Sequence, residues 1–76
     1  YKLTTQDVDR MLADQGNSCW ICLVPFSEQK PYRVDHCHST NVVRGLLCCG
    51  CNTAIGKFKD DPSLLRRAAN YIERAR

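Results

Sequence analysis

The chain has 76 residues and a formal net charge of +3, which allows one small domain and excludes the charge of a histone-like tail. Charged residues make up 25% of it, apolar residues recur regularly, and no apolar run approaches the roughly 18 residues of a membrane span. A domain of this size buries only about 60% of its surface on folding, so its six cysteines predict a stabilising disulfide or metal site.

The first predicted element is a helix over about residues 5–15. Thr4 and Asp7 have the spacing of a capping box, and Gly16 is suited to the left-handed residue that ends a helix. Apolar side chains recur between them at i, i+3 and i+4, at Val8, Met11 and Leu12. The following residues, 17–31, contain two cysteines and two prolines and predict turns.

The middle of the chain predicts a β-hairpin over residues 32–47. Two β-prone segments, 32–34 and 42–47, flank the turn-forming residues 39–41. With helices on both sides of this hairpin, the predicted fold class is α+β.

Two helices are predicted after the hairpin. The first runs from Cys51 to about Lys57. Asp61 is suited to an N-cap and Pro62 to a first helical residue, which places the second helix over about 62–75. Its apolar stripe consists of Leu64, Leu65, Ala68, Tyr71, Ile72 and Ala75. Its opposite side carries Arg66, Arg67, Arg74 and Arg76.

The positive charge is concentrated in the second half of the chain. Residues 1–41 hold four basic and five acidic side chains, a net of −1, whereas residues 42–76 hold seven basic and three acidic ones, a net of +4. The second half is therefore where a polyanion would bind. The residues expected to contact a nucleic-acid backbone are Arg44, Lys57, Arg66 and Arg67. A solvated helix face is the alternative explanation.

Four cysteines have the spacing of a zinc site. Cys19 and Cys22 form one Cys-x2-Cys pair, and Cys48 and Cys51 form another. Two residues between thiolates let a tight turn direct both sulfurs at one ion, and two such turns complete a tetrahedral site. The pairs flank the predicted hairpin, so zinc would clamp its two ends together. A disulfide framework in a secreted protein is the alternative, which the paired spacing and the lack of a visible signal peptide oppose.

Cys37 and Cys49 remain outside this set. Cys49 could replace Cys48, but its spacing to Cys51 gives a poorer chelate geometry. Cys37 lies between two histidines, so a cysteine nucleophile has to be considered. A small buried filler is the favoured interpretation, because no acyl-transfer motif accompanies this cysteine.

The segment Asp35-His36-Cys37-His38 gathers a carboxylate and two imidazoles in four residues. Asp35 is a hard oxygen ligand for Mg²⁺ or a similar ion, and Asn52 could give a second oxygen. His36, neutral near pH 7, can take a proton from water, and His38, on the same strand face at i+2, could contact a phosphate. Strand alternation would point Asp35 and His36 to opposite faces, so the backbone is predicted to bend there. The alternative is that the histidines are spare zinc ligands or exposed residues at a hairpin bend.

These motifs resemble the recombination endonuclease VII family of the HNH, or ββα-metal (His-Me finger), nucleases. The resemblance rests on the first Cys-x2-Cys, then Val34-Asp35-His36-Cys37-His38, then Val43-Arg44-Gly45-Leu46-Leu47-Cys48-x2-Cys51-Asn52. It covers roughly residues 17–72. It implies one nuclease domain over 1–76, with a zinc-clamped hairpin and catalytic core over 17–58 between the two outer helices.

The resemblance also implies roles for individual residues. The positions that match structural zinc ligands are Cys19, Cys22, Cys48 and Cys51. Asp35 and Asn52 match ligands of a catalytic divalent cation such as Mg²⁺ or Mn²⁺. His36 matches the general base, and His38 a residue that contacts the scissile phosphate or the metal. The implied activity is hydrolysis of DNA phosphodiester bonds, by nicking or double-strand cleavage, to 5′-phosphate and 3′-hydroxyl ends.

Two other classes of protein compete with a nuclease. A zinc-stabilised nucleic-acid-binding module would share the cysteines and the basic half but would not need Asp35, His36 and Asn52 together. A thiol redox protein would place its Cys-x2-Cys in a βαβ context, which the predicted elements lack. An intracellular protein of a bacterium or phage host is expected, with no membrane partner. The missing N-terminal Met suggests a piece of a longer chain, and the oligomeric state stays open.

Overall fold

The computed structural model describes residues 3–75, and within them it contains three helices and two strands. These are α1 (Thr5–Asp14), β1 (Tyr32–His36), β2 (Val43–Cys48), α2 (Cys49–Lys57) and α3 (Pro62–Arg74). The predicted α+β class, the hairpin and the flanking helices are confirmed. Arg76, which the sequence places on the basic side of the last helix, lies outside the described residues. None of the helices in residues 3–75 has the length and apolar character needed to cross a membrane.

Side-chain caps fix the first residues of α1 and α3. Thr4 N–H donates to the Asp7 carboxylate, and the Thr4 hydroxyl accepts from Asp7 N–H, both at 3.1 Å. This reciprocal capping box lowers the pKa of Asp7, chiefly through the backbone N–H of Thr4. At α3, Asp61 Oδ1 accepts from Ser63 N–H at 2.8 Å, and Pro62 is the first helical residue. Both N-caps predicted from the sequence are therefore confirmed.

The two strands form an antiparallel sheet with a β-bulge. The register is regular up to Asp35, which lies opposite Gly45. Beyond that pair, His36 lies opposite Val43, so Arg44 is an extra residue in β2. A bulge bends the strand that carries the extra residue and redirects its side chains, here β2 at Arg44. The bend of β1 between Asp35 and His36 stays a prediction.

The buried core is small and centred on sulfur. Among the described residues, the buried apolar side chains are Cys19, Leu46, Leu47 and Cys48. Phe26, Cys51 and Ile55 are partly buried and pack against the cluster that Cys19, Leu47 and Cys48 form. None of the three helices contributes a fully buried residue. The cysteines therefore do part of the packing that larger apolar side chains do in a larger domain.

Gln15, the C-cap of α1, joins that helix to β2. Its Oε1 accepts from Leu46 N–H, and its Nε2 donates to the carbonyls of Leu46 and Ser18, each at 2.9 Å. Gly45 permits this approach, because a Cβ there would lie 3.2 Å from Gln15 Oε1. Gly16 follows with a φ of 64°, the left-handed conformation predicted for the helix end. The Gln15 amide thus occupies the outer edge of β2.

Helix α3 lies largely outside the core. Leu65 and Ala68 of its apolar stripe are half-buried, whereas Tyr71 is 65% exposed and Ile72 is 54% exposed. The guanidinium of Arg74 lies 4.8 Å from the centre of the Tyr71 ring, within reach of a cation–π contact. The stripe predicted the helix correctly, but most of it does not face the core.

Candidate metal centre and active site

The four predicted zinc ligands come together at the base of the hairpin. The Sγ atoms of Cys19, Cys22, Cys48 and Cys51 all lie within 4.8 Å of one another. Cys22 Sγ and Cys48 Sγ are 3.8 Å apart, close to the roughly 3.8 Å between two thiolates that are each about 2.3 Å from one tetrahedral Zn²⁺. The cluster can hold a metal ion, and four sulfur donors favour zinc in a structural role.

Local backbone geometry places these sulfurs. At the first pair, Cys19 N–H donates to Val24 C=O and Leu23 N–H donates to Cys19 C=O, both at 3.0 Å. Leu23 has a φ of 67°, so the chain reverses there. At the second pair, Cys48 ends β2 and is the N-cap of α2, and its Sγ accepts from Cys51 N–H at 3.4 Å. Each pair therefore directs its thiols from a turn, as the Cys-x2-Cys spacing predicts.

The thiols of the cluster differ in acidity. Burial raises the pKa of Cys19, but hydrogen bonds from the backbone at Cys48, Cys22 and Ile21 outweigh it and lower the pKa to about 6. Burial, helped by the neighbouring thiols, raises the pKa of Cys51 to about 12. Because thiolates and not thiols bind zinc, metal binding must displace the proton of Cys51.

A second cluster lies beside the bulge and centres on a buried ion pair. Asp35 is only 7% exposed. Its Oδ2 accepts from Arg44 Nε at 2.8 Å and its Oδ1 from Arg44 Nη2 at 3.0 Å. The hydrogen bond to Asp35 raises the pKa of Arg44, although burial acts in the opposite direction. The bidentate guanidinium neutralises the buried carboxylate and fixes its orientation.

Both predicted histidines lie near this ion pair. The rings of His36 and His38 meet edge to face, with centroids 5.4 Å apart. Strand β1 ends at His36, so His38 lies in the loop and not on the strand face that the sequence suggested. The carbonyl of His36 is 3.4 Å from Arg44 Nη2. The structure thus brings Asp35, His36 and His38 together, and their chemical roles stay predictions.

Asn52 lies half-buried in α2, a helix that packs against both strands. Among the contacts described for residues 3–75, none joins its side chain to Asp35 directly. A partner role for Asn52 at a shared ion therefore stays a prediction.

Asp60 is the residue of this cluster that sequence analysis missed. It lies in the turn after α2, where Lys59 and Asp60 have φ values of 58° and 56°. Its Oδ2 is 3.2 Å from His38 Nδ1 and 3.3 Å from Arg44 Nη2. That oxygen is buried, yet neither contact has the alignment of a hydrogen bond. The sequence contains one weak indication, a second acidic residue immediately before the N-cap Asp61.

A cavity of about 330 Å³ opens beside Asp35. Its walls include Trp20, Ile21, Leu47, Ile55 and the Asp35–Arg44 pair. A carboxylate has about four lone-pair positions, and Arg44 uses two of those on Asp35. Two positions on Asp35 stay available, and a divalent cation that used them would share the carboxylate with Arg44.

The two remaining cysteines have different environments. The prediction that Cys37 is a buried filler is wrong, because Cys37 is half-buried. It lies at the loop end of the hairpin, where residues 37–42 connect the two strands. Hydrogen bonds from Thr40, first its side chain and then its backbone, together with Ser39, lower the pKa of Cys37 to about 7. Cys49 is exposed at the first position of α2 and lies outside the sulfur cluster, which agrees with the choice of Cys48 as ligand.

The predicted backbone-contacting residues fall into two groups. Lys57, Arg66 and Arg67 are exposed on α2 and α3. Arg44 is instead held by Asp35 and lies beside Asp60, with 37% of its side chain exposed. A phosphate could therefore reach Arg44 only in competition with two carboxylates.

A hairpin followed by a helix, with a cluster of acidic and imidazole side chains at one end, defines a ββα-metal type of fold. The crystal structure of the beta-beta-alpha-Me type II restriction endonuclease Hpy99I superimposes with a TM-score of 0.70 and 28% sequence identity. The match covers 99% of this chain and 44% of that chain. The predicted fold class is thereby confirmed.

The family model for recombination endonuclease VII matches residues 1–74, and the chain belongs to that family. The match extends beyond residues 17–72, where the sequence motifs alone placed the resemblance. The Gene 59 protein of Mycobacterium phage D29 is 37% identical over 75 residues, covering 97% of this chain and 46% of that protein. The Gene 59 protein of Mycobacterium phage L5 is 36% identical over 73 residues, covering 95% and 44%. The chain thus spans less than half the length of the curated relatives it matches.

Proposed function

We propose that this domain is an HNH-type DNA endonuclease that hydrolyses phosphodiester bonds with a divalent cation and carries a structural zinc ion. One observation carries the proposal. Asp35 lines a cavity, and His36 and His38, whose rings meet, follow it toward the loop of the hairpin, whereas the sulfur cluster lies at the base, in a chain of an endonuclease family. This separation supports a stabilising role for one cluster and a chemical role for the other.

The chemistry requires a base, because water is a weak nucleophile toward an anionic phosphodiester. The His36 imidazole would take the proton of the attacking water, a contribution typically worth about 10²–10⁴-fold in rate. His38, whose ring lies against that of His36, would contact the scissile phosphate. The expected products carry 5′-phosphate and 3′-hydroxyl ends.

Asp35 and Asn52 would hold a cation such as Mg²⁺ or Mn²⁺, which when bound supplies neutralisation of the phosphate charge and of the leaving oxygen. Arg44 would keep the Asp35 carboxylate oriented through its two hydrogen bonds. The exposed Lys57, Arg66 and Arg67 would hold the DNA backbone without reading bases.

A plasmid-nicking assay tests the proposal. Zinc-loaded protein is incubated with supercoiled DNA, with and without added Mg²⁺ or Mn²⁺, while circular dichroism verifies that the fold is retained. Conversion to nicked or linear DNA is expected only with the added cation. Thr53→Ala, which changes an exposed side chain next to Asn52, should cut like the wild type. DNA binding without cleavage under every cation would identify a non-catalytic zinc-stabilised binding module instead.

A further inference from the structure

The carboxylate of Asp60 has no part in the proposed chemistry, yet it contacts two residues that do. Its Oδ2 lies 3.2 Å from His38 Nδ1 and 3.3 Å from Arg44 Nη2. The side chain is 17% exposed, whereas that of His38 is 73% exposed. A buried carboxylate oxygen thus lies against one edge of a largely exposed imidazole.

The position of Asp60 is imposed by its backbone. Lys59 and Asp60 both adopt left-handed conformations, which are uncommon for residues other than glycine. Three main-chain hydrogen bonds close the turn, at 2.9–3.0 Å: Lys59 N–H to Gly56 C=O, Asp60 N–H to Ile55 C=O and Asp61 N–H to Phe58 C=O. Strained backbone of this kind persists where the surrounding structure holds it, and it is concentrated at functional sites.

The hydrogen-bond donors near Asp60 identify its partner. Arg44 Nη2 carries two hydrogens, and its neighbours already include Asp35 Oδ1 at 3.0 Å and the His36 carbonyl at 3.4 Å. Asp60 Oδ2 is a buried acceptor with no aligned bond, and such a group requires a donor. His38 Nδ1 lies 3.2 Å from this oxygen, and its ring is 73% exposed and therefore has room to turn toward it.

We propose that Asp60 is a positioning residue: its carboxylate accepts from His38 Nδ1–H and thereby turns the opposite nitrogen, Nε2, toward the DNA substrate, where Nε2–H of the doubly protonated ring would donate to the phosphate. A carboxylate beside one ring nitrogen of a histidine keeps a hydrogen on that nitrogen and fixes how the ring is oriented. The inference rests on the proposed endonuclease function, because that function gives Nε2 something to contact.

Nitrogen NMR of the zinc-loaded protein tests the contact without any cleavage reaction. Asp60→Gly removes the carboxylate, and glycine accepts the φ of 56° without strain. The His38 ring nitrogens should show a protonated Nδ1 in the wild type and lose that signature in Asp60→Gly. Lys59→Gly relaxes the same turn but keeps the carboxylate, so its His38 signals should match the wild type. Identical His38 signals in the wild type and in Asp60→Gly would overturn the proposal.

Nicking kinetics test whether the contact matters. Asp60→Gly should lower turnover about 10-fold, equivalent to about 1.4 kcal/mol of barrier, in the wild-type background. It should have no further effect in a His38→Ala background, because a positioning residue acts through the side chain that it positions. An equal loss in both backgrounds would refute the proposal.

Asp60→Asn provides the second variant if Asp60→Gly does not fold. Asparagine tolerates the left-handed conformation and retains an acceptor oxygen, so a smaller loss that again depends on His38 is expected. A loss from Asp60→Asn that is undiminished in the His38→Ala background would contradict the proposal. A wild-type protein that never cuts DNA would refute the endonuclease function, while the NMR comparison would still decide the contact between Asp60 and His38.

Discussion

The two ends of the hairpin are built in different ways. At the base, four like side chains from two short Cys-x2-Cys spacings converge within 4.8 Å, and two of them, Cys19 and Cys48, belong to the buried core. At the loop end, where residues 37–42 connect the strands, unlike side chains meet through a bulge, a loop and a left-handed turn. The base follows regular local geometry, whereas the loop end depends on departures from it. The same two strands thus carry the sulfur cluster and the proposed chemical site, and we expect that each can be altered without the other.

Metal removal should have the largest effect on stability, because the base of the hairpin is both the metal site and part of the core. Chelation of zinc, or Cys48→Ser, is expected to abolish the cooperative thermal transition, since metal binding of about 10–16 kcal/mol is folding free energy in such sites. Thermal melts followed by circular dichroism, with and without zinc, measure this effect. Cys49→Ser, which changes the adjacent thiol outside the cluster, should keep both zinc and the transition. A cooperative transition in metal-free protein would contradict the prediction.

At the loop end, His36→Ala should remove the nuclease activity and leave the fold intact. The expected loss is about 10²–10⁴-fold in turnover, because a general base is removed while the sulfur cluster is untouched. Zinc content, thermal melts and nicking rates of the same preparation give the comparison. The hypothesis of a His36 base fails if this variant cuts at the wild-type rate.

Asp35→Ala should be as damaging as His36→Ala but through a different step. It removes the proposed cation ligand and leaves Arg44 without its bidentate partner. High Mg²⁺ should partly restore the activity of Asp35→Ala and leave that of His36→Ala unchanged, which a titration of nicking rate against Mg²⁺ would show. Equal recovery of both variants would remove the distinction between ligand and base.

The basic helix α3 should affect binding and neither end of the hairpin. Replacing Arg66 and Arg67 with Ala is expected to weaken DNA binding similarly on all sequences. The slope of log K for DNA binding against log salt concentration should become shallower by about one unit for each phosphate that the variant no longer neutralises. The matched control, Arg10→Ala with Lys30→Ala, removes the same charge from exposed positions in the acidic half. An unchanged slope in the α3 variant would assign these arginines to solvent.

The smallest effect is expected from the cap of α3. Asp61→Ala removes the acceptor of Ser63 N–H and should destabilise the folded protein by about 1 kcal/mol, without loss of zinc. Urea unfolding of zinc-loaded protein measures the change. Asp9→Ala, at an exposed interior position of α1, is the control and should unfold like the wild type. Nicking rates that fall with Asp61→Ala would mean that the cap of α3 is coupled to the proposed chemical site at the loop end of the hairpin.

The base of the hairpin could be predicted from the sequence because its geometry is local. Two residues between cysteines suffice to define each turn, and the helix caps at Thr4 and Asp61 depend on neighbours within three residues. The order of the elements follows from the same short-range patterns. In each case the partners lie close together in the chain.

The loop end of the hairpin could be predicted only in part. Asp35, His36 and His38 are close together in sequence, so their proximity is foreseeable. Arg44 owes its position to the bulge, in which it is the extra residue of β2, and Asp60 owes its position to the positive φ of Lys59 and of its own backbone. Neither feature has a residue signature, because bulges and left-handed turns outside glycine are stabilised by tertiary contacts. The partial exposure of Cys37 escapes prediction for a related reason, since its burial depends on how the loop returns.

The side chain of Gln15 has a consequence for behaviour at high concentration. A two-stranded sheet offers its outer strands to other molecules, and a row of unpaired amides and carbonyls can recruit a foreign strand. At Leu46 both main-chain groups of β2 are already taken, by the Gln15 amide and by Trp20 N–H at 3.3 Å. The C-terminal end of a helix thus acts as a blocking group against intermolecular strand addition.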